Sequence, residues 1–292
     1  MEVGLLLAAG GVAAGVFGAL LGLGGGILIV PLLTVGFEVP FRAAVGISLV
    51  CVIVTSSAAA GVYLERRVAN MRLGMFLELF TAMGALVGGL IAFALPARLL
   101  EGLFAALLVY TAWSMIRREH QPDRAAGPSP ATGDCSADPA DLRDPADPAE
   151  AAGRPVPAAS FAATLAGPGY RVGRLPIGVA GSLGAGVVSA LLGVGGGIVK
   201  VPLMHLVMGL PLRTATATSN MMIGITAAAS ATVYLLAGAI DPYVAGPTAA
   251  GVFVGALAGA RIAPRIDVRV LRLAFVAILL LTAIQMIARA VG

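Results

Sequence analysis

Gly22-Leu23-Gly24-Gly25-Gly26-Ile27-Leu28-Ile29-Val30-Pro31 returns 171 residues later as Gly193-Val194-Gly195-Gly196-Gly197-Ile198-Val199-Lys200-Val201-Pro202. The register holds well beyond these stretches. Ala9–Ile116 aligns on Ala180–Ile287 without a gap, and about 40 of the 108 aligned positions are identical. Pro40 falls on Pro211, Arg42 on Arg213, Ser48 on Ser219 and Tyr63 on Tyr234. Shared small and apolar residues alone would not keep register over that length, so the chain is an internal duplication.

Composition says where such a chain lives. Of its 292 residues 59% are hydrophobic and 12% charged, with a mean hydropathy of +0.96. A soluble domain is nearer half apolar and a quarter charged, and the excess apolar surface requires lipid. The 39 glycines suit membrane helices that pack backbone against backbone. Full spans are expected near 43–64, 73–95, 97–116, 215–238, 243–264 and 268–288. The regions 3–39 and 176–210 are apolar but broken by the glycines. The first apolar run lacks a basic segment before it and reads as a retained span.

Residues 1–117 and 175–292 form two membrane repeats. Between them, 118–174 is rich in Pro, Ala and Asp and reads as a disordered cytoplasmic linker. Residues 119–170 carry eight acidic and three basic side chains, so the chain's net charge of +4 divides into −5 there and +9 elsewhere. The arginines are scattered between apolar spans and form no stripe for nucleic acid. Cys51 and Cys135, the two cysteines, make neither a disulfide framework nor a cysteine-rich metal site.

Charge also orients the repeats. If each broken region is a hairpin followed by three spans, the second copy is inverted. Arg66, Arg67, Arg72, Arg117, Arg118, Arg171, Arg174, Arg213, Arg261, Arg265, Arg269 and Arg272 then lie inside, against Arg42, Arg98 and Arg289 outside. Parallel copies would divide these arginines almost evenly, whereas the positive-inside rule expects asymmetry. The expected fold is therefore all-α, with two inverted repeats, each a glycine-interrupted helical hairpin plus three transmembrane helices. Both termini are expected outside.

Inverted repeats with matched broken helices are a transporter pattern, with the site at the breaks. Ile27–Val39 offers about 13 helical residues, roughly 20 Å at 1.5 Å per residue, too short to span. Its first N–H groups lack helical acceptors and carry partial positive charge, which suits an anion. The substrate-binding candidates are Gly24, Gly25, Gly26 and Ser48 in the first half. In the second they are Gly195, Gly196, Gly197, Lys200, Thr218, Ser219 and Asn220. An oxyanion offers only acceptors, which hydroxyls, an amide and backbone N–H groups can meet. The alternatives are that the glycines serve packing and that each hydroxyl bonds its own helix.

Ionisable residues inside apolar segments point to function by default. Lys200 either faces the anion or snorkels to the interface. Glu78 either carries a coupling proton or pairs with Arg72. Arg42 and Arg213 either gate the anion or anchor the interface. His205 reads as a packing residue. The glycine motif lacks the third glycine of a dinucleotide fingerprint and the Lys-Ser/Thr of a P-loop. No cofactor, metal site or nucleophile–base pair is legible, so no enzyme is expected.

Gly-x-Gly-Gly-Gly-x-x-x-x-Pro near the start of both halves, each followed by an Ala/Ser/Thr-rich span, resembles the TauE/SafE sulfite exporter family. The resemblance covers both repeats and leaves out the linker. It implies a secondary transporter in a bacterial cytoplasmic membrane, exporting sulfite, an organosulfonate or another small sulfur-containing anion. Lys200, where the first motif has Ile29, departs from the repeat. The competing readings are a non-transport membrane scaffold and a carrier of a different small anion.

Overall fold

A computed structural model describes residues 2–21, 26–65, 71–117, 174–210, 212–262 and 268–291. These residues are helical almost throughout. The first half contains α1 (Glu2–Leu21), α2 (Gly26–Pro31, continued as a π-helix Leu32–Gly36), α3 (Phe41–Glu65), α4 (Met71–Ala94) and α5 (Ala97–Arg117). The second half repeats the order with α6 (Leu175–Leu192), α7 (Gly197–Pro202, continued as a π-helix Leu203–Val207), α8 (Leu212–Leu236), α9 (Pro242–Ile262) and α10 (Val268–Val291). The six expected spans coincide with α3–α5 and α8–α10 to within three residues at each end. Among the described residues Met71–Ala94, Leu175–Leu192 and Thr214–Leu236 are long and apolar enough to cross a membrane. Residues 118–173 of the expected linker lie outside the described residues.

The broken regions are antiparallel hairpins. Gly10 of α1 faces Leu32 beyond the break, and the equivalent Gly181 of α6 faces Leu203. Their second arms correct the expected uniform helix Ile27–Val39. Each runs one α-helical turn and a half to a proline and then widens into a π-helix. Proline lacks an N–H and crowds the carbonyl four residues back, so the backbone relaxes just after it. The same closing bond then ends both segments: Val39 N–H to Leu33 O and Leu210 N–H to Met204 O, each 3.0 Å.

Contacts between the halves obey the repeat. α1 packs along α9 as α6 packs along α4. Small residues line both seams. A Cβ at Gly15 would sit 2.9 Å from Val252 Cα, and one at Gly255 2.8 Å from Val12 Cα. In the equivalent seam a Cβ at Gly186 would sit 2.8 Å from Ala85 N, and one at Gly84 3.1 Å from Leu183 Cα. α3 and α8, equivalent to each other, run antiparallel. Gly46 near the start of α3 faces Tyr234 near the end of α8, while Ser56 donates to Asn220 O at 2.9 Å. α5 lies on α10.

One face of α4 is outward and apolar, with Met75, Leu79, Met83 and Leu90 exposed. The opposite face buries Gly74, Glu78, Thr81, Gly84 and Gly88. Outward apolar faces are what a helix in lipid presents, and the all-helical architecture is that of a membrane protein.

The seams generate a prediction. Gly15→Val and Gly186→Val each drive a side chain into facing backbone and are expected to cost about 1–3 kcal/mol. Gly184, with nothing within 4 Å of its added Cβ, is the control. Gly184→Ala is expected to hold or raise stability by up to about 1 kcal/mol. Melting temperatures in detergent check the difference.

Candidate functional site

The two breaks meet. Gly26 opens α2, and a Cβ there would lie 2.8 Å from Gly193 O, the carbonyl that closes α6. Ser48 of α3 donates to Gly193 O at 2.8 Å, with Gly26 O alongside at 3.2 Å. One hydroxyl therefore ties both breaks together, and its proton is committed to carbonyls instead of to its own helix. Gly193, Gly195 and Gly196 have φ of +70°, +78° and +76°, which only glycine adopts cheaply. Gly24 and Gly25 lie outside the described residues.

Ser219, the repeat equivalent of Ser48, stands on α8 beside the second break. Its Oγ is 3.8 Å from a Cβ placed at Gly197. It is fully buried and has no hydrogen-bond partner among the described residues. Thr218 turns its methyl toward Gly74 of α4, and Asn220 lends its backbone carbonyl to Ser56. Gly195 packs against Val52 and Ile223, and Gly197 against Ile223. So the structure draws Gly26, Ser48, Gly195, Gly196, Gly197 and Ser219 together, with Thr218 and Asn220 flanking on α8.

Lys200 and Glu78 are not where linear proximity suggests. Lys200 of α7 is fully buried and does not snorkel; its ammonium lies 3.0 Å from Glu78 Oε2. Thr226 of α8 donates to Glu78 Oε1 at 2.6 Å and receives a bond from Lys200 Nζ. Glu78 thus pairs across the two halves with Lys200. Arg72, the partner suggested by sequence separation, is exposed. The Lys200 stem passes the break, its Cε 3.6 Å from a Cβ at Gly196. The positions equivalent to Lys200 and Glu78 are Ile29, fully buried, and Ala249 on α9. The charged cluster therefore has no counterpart. It was findable in the sequence as two lone intramembrane charges of opposite sign.

Arg42 has a structural partner. Its guanidinium donates to Phe93 O at 3.3 Å and to Leu95 O, and lies 5.6 Å from the centre of the Phe93 ring. A cation on the last carbonyls of α4 caps that helix and complements its dipole. The Arg213 side chain lies outside the described residues. His205 bonds Leu210 O at 2.8 Å, closing the turn after the π-helix. Cys51 is fully buried in the apolar core.

A buried ion pair broken on one side leaves an uncompensated charge. Glu78→Ala alone is expected to cost about 3–5 kcal/mol, and the double variant Glu78→Leu/Lys200→Met to recover most of that loss. A double-mutant cycle on detergent melting temperatures measures it. Additive single and double effects would mean that the two side chains do not depend on one another.

Comparison with known proteins follows the same lines. The chain is 23% identical over 284 residues, 95% of its own length and 94% of the relative's, to "Probable membrane transporter protein YunE" of Bacillus subtilis (strain 168). No solved structure matches it. The model of the family described as sulfite exporter TauE/SafE matches residues 7–286. That span takes in both glycine breaks and every helix that meets at them, so the chain belongs to the TauE/SafE sulfite exporter family, a family of membrane transporters.

Proposed function

We propose that this protein is a secondary transporter that moves a small sulfur-containing oxyanion, sulfite or an organosulfonate, out of a bacterial cytoplasm by alternating access. The observation that carries the reading is the meeting of the two breaks, Gly26 against Gly193 with Ser48 bonded between them. Irregular backbone survives at membrane depth only inside protein or beside a wet cavity. Here the first half supplies the donor that the second half's break lacks.

The antiparallel packing of α3 on α8 supports an inverted pair of repeats, because a two-fold that relates antiparallel spans lies in the membrane plane. The arginine distribution supports the same orientation, with linker 118–174 cytoplasmic and both termini outside. Gly24–Gly26, Gly195–Gly197, Ser48, Ser219, Thr218 and Asn220 surround the substrate. Lys200 supplies the positive charge, and Glu78 carries a coupling proton. Arg42 and Arg213 stand at the mouths, where Arg42 also caps α4. An inside-negative potential favours exit of an anion.

Three outcomes follow. A membrane-impermeant thiol reagent is expected to leave Cys135 unlabelled in intact cells of a Cys51→Ala strain and to label it after permeabilisation; labelling of intact cells overturns the orientation. Gly196→Val forces a β-branched residue into φ +76° with Ser189 Cβ 3.2 Å from its own Cβ. It is expected to abolish sulfite flux in proteoliposomes while the protein stays monodisperse, and full flux would remove the break from the site. Glu78→Gln is expected to free flux from any imposed pH gradient, and an unchanged gradient dependence removes Glu78 from coupling.

A further inference from the structure

We infer that, within the site proposed above, the oxyanion binds off the pseudo-two-fold, on the side of the second half's break. There Ser189 and Ser219 donate hydroxyl hydrogen bonds to it, and it competes with Glu78 for Lys200. This rests on the transport reading above and gives that site a position and a new residue. Ser189 lies on α6 with its Cβ 3.2 Å from a Cβ at Gly196, and Ser219 Oγ lies 3.8 Å from one at Gly197. Both are fully buried, and both hydroxyls lack a partner among the described residues. A helical serine ordinarily returns its proton to the carbonyl four residues back, as Thr81, Thr111 and Ser230 do here. Two that decline to do so, on different helices beside adjacent glycines, carry an unmet need for an acceptor.

The first half provides no such set. Ser189 is replaced there by Gly18 and Lys200 by Ile29, and Ser48 has already given its proton to Gly193 O. The ligand this chemistry selects is a compact anion rich in acceptor oxygens. Its oxygens take the two hydroxyls and the Lys200 ammonium, which lies at the end of a stem already passing Gly196. Glu78, 3.0 Å from that ammonium, occupies the cation as a tethered carboxylate and is the group the anion displaces.

The test is equilibrium binding of sodium sulfite, thiosulfate and sulfate to the full chain in nanodiscs, with melting temperature of the anion-free protein recorded in parallel. Ser189→Ala and Ser219→Ala are each expected to weaken binding of the anion that wild type retains by about tenfold, roughly one charge-assisted hydrogen bond. Because each removes an unpartnered buried hydroxyl, melting is expected to hold or rise. Ser182→Ala deletes an equally buried, unpartnered hydroxyl about two turns up α6 and is expected to leave affinity unchanged. Glu78→Gln is expected to tighten binding by about tenfold by removing the internal competitor. Wild-type affinity in both Ser189→Ala and Ser219→Ala overturns the off-axis site and leaves the transport reading standing. No binding of any of the three anions by wild type overturns both. Lower melting with unchanged affinity assigns the serines to packing and overturns the site.

Discussion

The carbonyl of Gly193 ends a helix inside the apolar body of the protein, among buried residues. Leaving such a group unmet is expensive in a medium without donors, and α6 cannot supply one because the chain has turned away at φ +70°. The donor comes from the other half, as Ser48 Oγ at 2.8 Å. Much follows from that need. The first break must lie against the second, so Gly26 can bear no side chain. α3, which carries Ser48, must also cross close to α8, and it does so near its middle.

Close approach elsewhere serves the same end. The seams of α1 with α9 and of α6 with α4 bring backbones together at glycines. In lipid, helix association gains nothing from hiding apolar surface and depends on packing at short range. Each seam joins the hairpin of one half to a span of the other. The halves are thus interlocked twice, and each hairpin packs against the partner repeat as well as against the long helix that follows it in its own.

The duplication made much of this legible. Six long helices, two breaks and the repeat register could all be read because apolar runs of about 20 residues and matched glycines are strong local signals. The π-helices after Pro31 and Pro202 were not readable, since a proline announces a disturbed helix without saying whether it kinks or widens. Glu78 was misleading in sequence: Arg72, six residues away, was the nearer cation, but helical phase leaves Arg72 exposed while Glu78 faces the interior. Its partner lies 122 residues on, a separation that no spacing rule reaches. Ser48 could be read as a hydroxyl near the first break but not as the donor to Gly193 O, because that carbonyl comes from the other repeat.

Symmetry and charge pull against each other in this molecule. A duplicated fold whose halves exchange environments would have two conformations of nearly equal energy if the halves were identical. They are not identical at Lys200 and Glu78, whose equivalents are Ile29 and Ala249. The pair joins α7 of one half to α4 of the other, so any motion that slides the hairpin along its seam stretches it. A buried ammonium and carboxylate cannot be parted without new partners for both, since each stranded charge is penalised by several kcal/mol. The equivalent positions, Ile29 and Ala249, carry no charge and so no such penalty. The two sides of the molecule therefore differ in what parting them would cost. The difference is chemical: separating the second hairpin from α4 would require one new partner for the charge of Lys200 and another for that of Glu78.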